Sequence, residues 1–265
     1  MLPAAFLRHL TQGRSSLLLC RGCLGPVGEG AEAGLCARCW GGLLPLPEGR
    51  CPRCALVHAD GMGGLGSPIP WGSKGEHRER SEQAVPPFQS EGDCPEPTAW
   101  DLGDALWDYH GGRPPLGALL LPGIKQGESG WRKALLGRLS GAPLPPWAAE
   151  VDHVTSVPSA LPQRLLRGFD LSAEAGRIIA GRLGRPFSPL LFKGWRSGRQ
   201  AARTESQRRR LPRKAIDLHR TARPTGILLL VDDVWTTGTT LLRAAQALRS
   251  GGADEVRVLT LFRAL

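Results

Sequence analysis

Ile227-Leu-Leu-Leu-Val-Asp-Asp-Val-Trp-Thr-Thr-Gly-Thr-Thr240 joins an apolar run to two aspartates, then to a threonine loop around one glycine. Ile227 to Val231 is apolar throughout, the pattern of a strand covered on both faces. In open α/β sheets, ligands bind beyond the carboxyl ends of the strands. Asp232 and Asp233 are expected at such an end. Carboxylates placed there accept hydrogen bonds from vicinal hydroxyls, or hold magnesium through water. Thr236, Thr237, Gly238, Thr239 and Thr240 add hydroxyls, backbone N–H groups and a glycine that permits close approach. Leu241 to Arg249 reads as a helix, with Leu241, Leu242, Ala245 and Leu248 on one face. Gly251 and Gly252 stop it. A helix N-terminus aimed at the loop favours an anion. Together these features fit a phosphorylated ribose. The plainer reading is a buried strand, a turn and a capped helix. It leaves two adjacent acids at a strand end with nothing to offset their burial.

Working outward, Trp100 to Tyr109 suggests a strand or bend, and Val151 to Val157 a strand stopped by Pro158. Leu116 to Ile124 has helical character, although Pro122 and Gly123 are expected to break it. Trp131 to Leu139 is a helix candidate. Leu171 to Leu183 is a stronger one, with Leu171, Ala175, Ile178, Ile179 and Leu183 on one face. Val256 to Phe262 is a final strand. Strands alternating with helices imply an α/β domain with a mostly parallel sheet flanked by helices.

The seven cysteines are clustered. Cys20 and Cys23, then Cys36 and Cys39, form two CxxC knuckles whose spacing fits one tetrahedral four-thiolate zinc site. Structural zinc contributes about 10–16 kcal/mol of apparent binding free energy. That rivals the roughly 5–15 kcal/mol net stability of a whole domain. The metal would therefore decide whether so Gly-rich a module folds. Cys51 and Cys54 look like half of a second site. His58 and Cys94 are its available completions, and a vestigial or redox-exposed pair is the favoured alternative. The expected organisation is a cysteine-rich module at 1–54, a Gly- and Pro-rich linker or insertion at 55–98, and an α/β domain at 99–265. No apolar run reaches the roughly 18 residues of a membrane span. Arg8, His9, Gln12 and Arg14 interrupt the apolar N-terminus, so no signal peptide is read and a cytoplasmic location is expected.

The net charge is +10. Between Lys193 and Arg223 stand Arg199, Arg203, Arg208, Arg209, Arg210 and four further cations besides those two ends. Only Glu205 and Asp217 oppose them. Trp195 lies among them as a stacking surface for a base. Single-stranded nucleic acid, contacts to a pyrophosphate and a solvated basic surface all fit this stretch.

The run from Asp232 to Thr240 resembles the phosphoribosyl pyrophosphate (PRPP) signature of type I phosphoribosyltransferases. In that family two adjacent acids hold the ribose 2′- and 3′-hydroxyls, and the threonine loop holds the 5′-phosphate. Purine-salvage members carry an acid where Thr236 stands, so the resemblance does not extend to purine salvage. The wider order resembles the ComF family. Its matching pieces here are the cysteine-rich start, Tyr109-His110-Gly111, Lys125, Val157-Pro158, Arg164-Leu-Leu-Arg167-Gly168-Phe169, Gln200, Arg208-Arg209-Arg210 and Asp232 to Thr240. Asp170 departs from the Asn usual in that family. The resemblance implies a type I phosphoribosyltransferase-like fold with a small N-terminal zinc-ribbon-like module. It implies a cytoplasmic competence protein acting on incoming single-stranded DNA in natural transformation, near the uptake machinery at the inner membrane. Lys125, Pro158, Ser159 and Arg164 would border a pyrophosphate, and magnesium would accompany PRPP. An active phosphoribosyltransferase with an unidentified acceptor is the alternative; no catalytic residue is assigned.

Overall fold

In the computed structural model, residues 19–28, 31–56, 94, 98–193 and 216–264 are described. A short helix α1 (Ala37–Trp40) belongs to the cysteine-rich module. Then come β1 (Leu102–Asp108), α2 (Leu116–Lys125), α3 (Ser129–Leu139), β2 (His153–Ser156), α4 (Leu161–Arg167) and α5 (Leu171–Leu183). The chain ends with β3 (Leu191–Lys193), β4 (Ile216–Leu218), β5 (Ile227–Trp235), α6 (Thr239–Ser250) and β6 (Glu255–Arg263). The main sheet has the order β1-β6-β5-β2, and every neighbouring pair is parallel. β3 and β4 form a separate antiparallel pair.

The uniform apolarity of β5 has a direct cause. Leu229 and Val231 pack with side chains of α2, α3 and α5. Leu228 and Leu230 pack with Leu241, Ala245 and Leu248 of α6. Both faces of the strand are covered, as its composition requires.

Three elements differ from the sequence-based expectation. β5 does not end at Val231: its ladder with β6 carries on through Asp232↔Thr260, Val234↔Phe262 and Trp235↔Arg263. The aspartates thus lie within the last turnings of a paired strand. α6 begins at Thr239, so Thr239 and Thr240 form its first turn. α2 runs through Pro122 to Lys125. Leu116, Leu120, Leu121 and Ile124 are almost fully buried. Each such burial stabilises by about 1.5–3 kcal/mol, which together outweighs the roughly 3 kcal/mol cost of an interior proline.

The cysteine-rich module packs into the same core. Cys20, Leu35, Cys39 and Trp40 share a cluster with α2 and α3. The Trp131 indole donates to the Ala33 carbonyl at 2.9 Å. Arg50 forms a bidentate pair with Asp104 of β1 at 2.8 and 2.7 Å. Among the described residues, no helix is long and apolar enough to cross a membrane.

Candidate ribose-phosphate site and cysteine clusters

The carboxyl end of β5 carries the predicted acid pair. Asp232 is buried, and its Oδ1 accepts from the Ser172 hydroxyl of α5 and from the Asp233 N–H, both at 2.9 Å. Burial, reinforced by the neighbouring Asp233 charge, pushes Asp232 up to about 8. The two hydrogen bonds and the Lys125 ammonium act against that shift. Asp233 is less buried, and its Oδ2 pairs with Lys125 Nζ at 2.7 Å. A cation of α2 thus sits on the acid pair. One carboxyl titrates near neutrality beside another held by an ammonium, an arrangement able to accept from two adjacent hydroxyls.

Beyond the acids, the loop turns sharply into α6. Gly238 caps that helix with φ 68°, a left-handed conformation suited to glycine. A Cβ there would lie 3.0 Å from the Trp235 indole nitrogen. No side chain caps the α6 N-terminus. Thr236, Thr237, Thr239 and Thr240 are exposed, and the Thr237 and Thr239 hydroxyls lie 3.1 Å apart. Exposed hydroxyls at an uncapped helix start can receive a phosphate.

Of the residues expected around a pyrophosphate, Ser159, Arg164 and Lys125 face acids of the chain. Pro158 is buried. The Ser159 N–H donates to Asp170 Oδ2 at 3.0 Å, and Arg164 Nε lies 3.9 Å from the same oxygen. Asp170 Oδ1 also caps α5 by accepting from Ala173 N–H. Lys125 is taken by Asp233. Sequence reasoning did not find Ser172 or the full reach of Asp170. The position of Asp170 just before a strongly periodic helix is an N-cap signal that could have shown half of that reach.

Arg263, another residue the sequence did not single out, braces the loop from below. Its guanidinium donates to the carbonyls of Trp235 (3.0 Å), Thr236 (2.6 Å) and Cys54 (3.2 Å). It also stacks over the Trp235 ring at 4.6 Å. Trp100 meets Trp235 edge-on at 5.2 Å and donates to the Arg53 carbonyl at 2.7 Å. The Cys51–Cys54 knuckle therefore forms part of the floor beneath the loop.

Cys20, Cys23, Cys36 and Cys39 bring their sulfurs within 4.8 Å of one another. Cys20 and Cys39 sulfurs are 3.5 Å apart, and those of Cys23 and Cys36 are 3.7 Å apart. A tetrahedron with zinc–sulfur bonds near 2.3 Å has edges of about 3.8 Å, so the cluster fits such an ion. Burial opposes ionisation of Cys20. Backbone N–H groups of Cys23, Cys36 and Gly22 outweigh it and bring the thiol down to about 6. A thiolate formed near neutral pH is a ready metal ligand. Cys51, Cys54 and Cys94 form a second cluster, also within 4.8 Å, so among the described residues Cys94 is the group that joins the pair. Cys51 and Cys54 are buried, which argues against an exposed redox pair. His58 lies outside the described residues.

The predicted nucleic-acid residues Arg199, Arg203, Arg208, Arg209 and Arg210 lie outside the described residues, as does Gln200. Lys193 ends β3, and the exposed Arg220 and Arg223 follow β4.

Residues 195–265 match the phosphoribosyl transferase domain family. That span contains β4, β5, the threonine loop, α6 and β6, and it marks this part of the chain as phosphoribosyltransferase-like. No curated protein sequence matches the chain. Among solved structures, the glutamine PRPP amidotransferase of B. subtilis, complexed with ADP and GMP, is 28% identical. The match covers 49% of this chain and 26% of that one, with a TM-score of 0.34. The adenine phosphoribosyltransferase of Thermoanaerobacter pseudethanolicus is 20% identical over 51% of this chain and 81% of that one, with a TM-score of 0.30. The orotate phosphoribosyltransferase of Aeropyrum pernix is 20% identical over 54% and 76%, with a TM-score of 0.28. The chain thus spans about a quarter of the length of the amidotransferase.

Proposed function

We propose that this chain is a cytoplasmic ComF-family protein. It binds a ribose 5′-phosphate of the PRPP type at the end of β5 and acts on incoming single-stranded DNA during natural transformation. The observation that carries the pocket is the pairing of Asp232 and Asp233 with an uncapped, hydroxyl-lined turn into α6, inside the segment matched by the phosphoribosyl transferase domain. Asp232 and Asp233 would take the ribose hydroxyls. Thr236, Thr237, Gly238, Thr239 and Thr240 would take the 5′-phosphate. Magnesium bound with the ligand would offset phosphate charge; the chain's own part is to orient the ribose and exclude water from Asp232. Zinc at Cys20, Cys23, Cys36 and Cys39 would hold the module at 1–54 against the domain at 99–265. The DNA reading rests on the arginine-rich stretch and the order of the motifs along the chain. The uptake machinery at the inner membrane would be the partner that delivers the strand.

A second reading is an active phosphoribosyltransferase. An acceptor's lone pair would attack ribose C1 as the bond from C1 to the pyrophosphate oxygen breaks, the pyrophosphate keeping the electron pair. The near-neutral titration of Asp232 beside Lys125 favours it. Two titrations test the proposal. PRPP or ribose 5-phosphate should bind in calorimetry, and the Asp232→Asn, Asp233→Asn double variant should lose all binding while still unfolding cooperatively; retained affinity would overturn the pocket. Short single-stranded DNA should bind with a log–log salt slope near −0.7 per neutralised phosphate. Charge reversal at Arg208, Arg209 and Arg210 should flatten that slope; an unchanged slope would remove the stretch from the DNA interface.

A further inference from the structure

Two helix N-termini reach the acid pair. The first turn of α6 follows the threonine loop, and the first turn of α5 supplies Ser172 to Asp232. They differ in what occupies them. The α6 start has no side-chain cap, and its hydroxyls are exposed. The α5 start is filled by the chain's own carboxylate. Asp170 caps Ala173 N–H, accepts the Ser159 N–H at 3.0 Å and faces Arg164 at 3.9 Å. The second cation in reach, Lys125, is bound to Asp233 at 2.7 Å. Among the described residues, these groups placed to receive a second anion are therefore already opposite an acid of this chain. A diphosphate there would have to displace Asp170 from two donors and sit beside its negative charge. Like charges brought together in a partly buried site cost several kcal/mol.

Building on the ribose-phosphate reading above, we propose that Asp170 is a specificity-determining residue that closes the second anion position. The pocket then takes ribose 5-phosphomonoesters, such as ribose 5-phosphate or a 5′-phosphorylated nucleoside end, in preference to ribose bearing a 1-diphosphate. One phosphate is received at the α6 turn and the ribose hydroxyls at Asp232 and Asp233. Two residues from Ser172, which holds Asp232, a second anion would meet the Asp170 carboxylate. Such a site recognises and holds a phosphorylated sugar without expelling pyrophosphate from it.

Calorimetry with ribose 5-phosphate, PRPP and inorganic pyrophosphate, each with magnesium, tests this on the full chain. The wild-type protein should bind ribose 5-phosphate at least as tightly as PRPP and show no affinity for pyrophosphate. Asp170→Asn keeps a good helix cap while removing the charge. It should raise PRPP affinity about tenfold or more, with ribose 5-phosphate unchanged. Asp170→Ser, a second capping residue of different shape, should do the same and guards against an effect of folding alone. Wild-type preference for PRPP, or a PRPP to ribose 5-phosphate ratio unmoved by both variants, overturns the inference and leaves the pocket standing. Wild-type protein that binds none of the three overturns the pocket and the inference together.

Discussion

The α6 turn and the α5 turn are both helix starts beside the same two aspartates, yet one is open and the other closed. The difference lies in one residue at each cap. Gly238 has no side chain and adopts φ 68°, which leaves the start of α6 without a side-chain cap among the described residues. Asp170 has a short carboxylate and uses it on its own helix and on Ser159. A left-handed glycine thus leaves one helix start without a side-chain cap, while an extended aspartate fills the other with the chain's own carboxylate. Whether a helix start binds a ligand depends on what its cap residue already satisfies.

The strongest way to break the contrast is to close the open end. Gly238→Ala places a Cβ 3.0 Å from the Trp235 indole nitrogen and forces a non-glycine residue into left-handed backbone. Such strain costs about 1–3 kcal/mol. If the loop shifts to relieve it, ribose 5-phosphate affinity should fall roughly 10- to 100-fold, since each 1.4 kcal/mol is tenfold. Calorimetry reads the loss. Unchanged affinity would mean that the turn does not receive the phosphate.

An intermediate effect is expected from Asp232, which lies between the two ends. Burial and the Asp233 charge raise it to about 8 in the folded protein, against about 3.9 in an unfolded chain. The folded state therefore holds an extra proton between those values. Stability from this group is fully present below about pH 4 and is lost as pH rises through 8. Asp233, Lys125 and Ser172 face the same carboxyl, so the comparison must isolate Asp232 itself. The melting temperature of the wild-type protein minus that of Asp232→Asn should fall steadily from pH 5 to pH 8.5. A flat difference would show that Asp232 is already ionised and free of the burial penalty.

The contrast was half legible in the sequence. The apolar run, the acid pair and the threonine loop announced a strand end that turns into a helix, and Leu171 to Leu183 was read to the residue. The open end could be read because all its parts are contiguous. The closed end could not, because it is assembled from Ser159, Arg164, Asp170 and Ser172 across two helices and the loops that precede them. The same reason hid the brace at Arg263, whose partners Cys54 and Trp235 come from distant parts of the chain. The ends of β5 and α2 were misplaced for a different reason. Local signals at Asp232 and Pro122 argued for stopping, whereas strand pairing and buried leucines kept both elements going.

The smallest effect sharpens the closed end. Arg164 was expected to meet a pyrophosphate, yet its side chain is about half exposed (52%) and stands 3.9 Å from Asp170. Ion pairs of that kind contribute about 0–1 kcal/mol, because water and salt screen them and the long side chain loses freedom when fixed. The neighbouring Leu165 and Leu166 are exposed, so α4 gives the arginine no buried scaffold to hold it toward the acids. Arg164→Ala should therefore change ribose 5-phosphate and PRPP affinity by less than about threefold in titration, a free-energy change within the range of a weak surface pair. A loss of PRPP affinity beyond tenfold, with ribose 5-phosphate unaffected, would place the guanidinium on a diphosphate. The second helix start would then be open after all, with Asp170 displaced when ligand arrives.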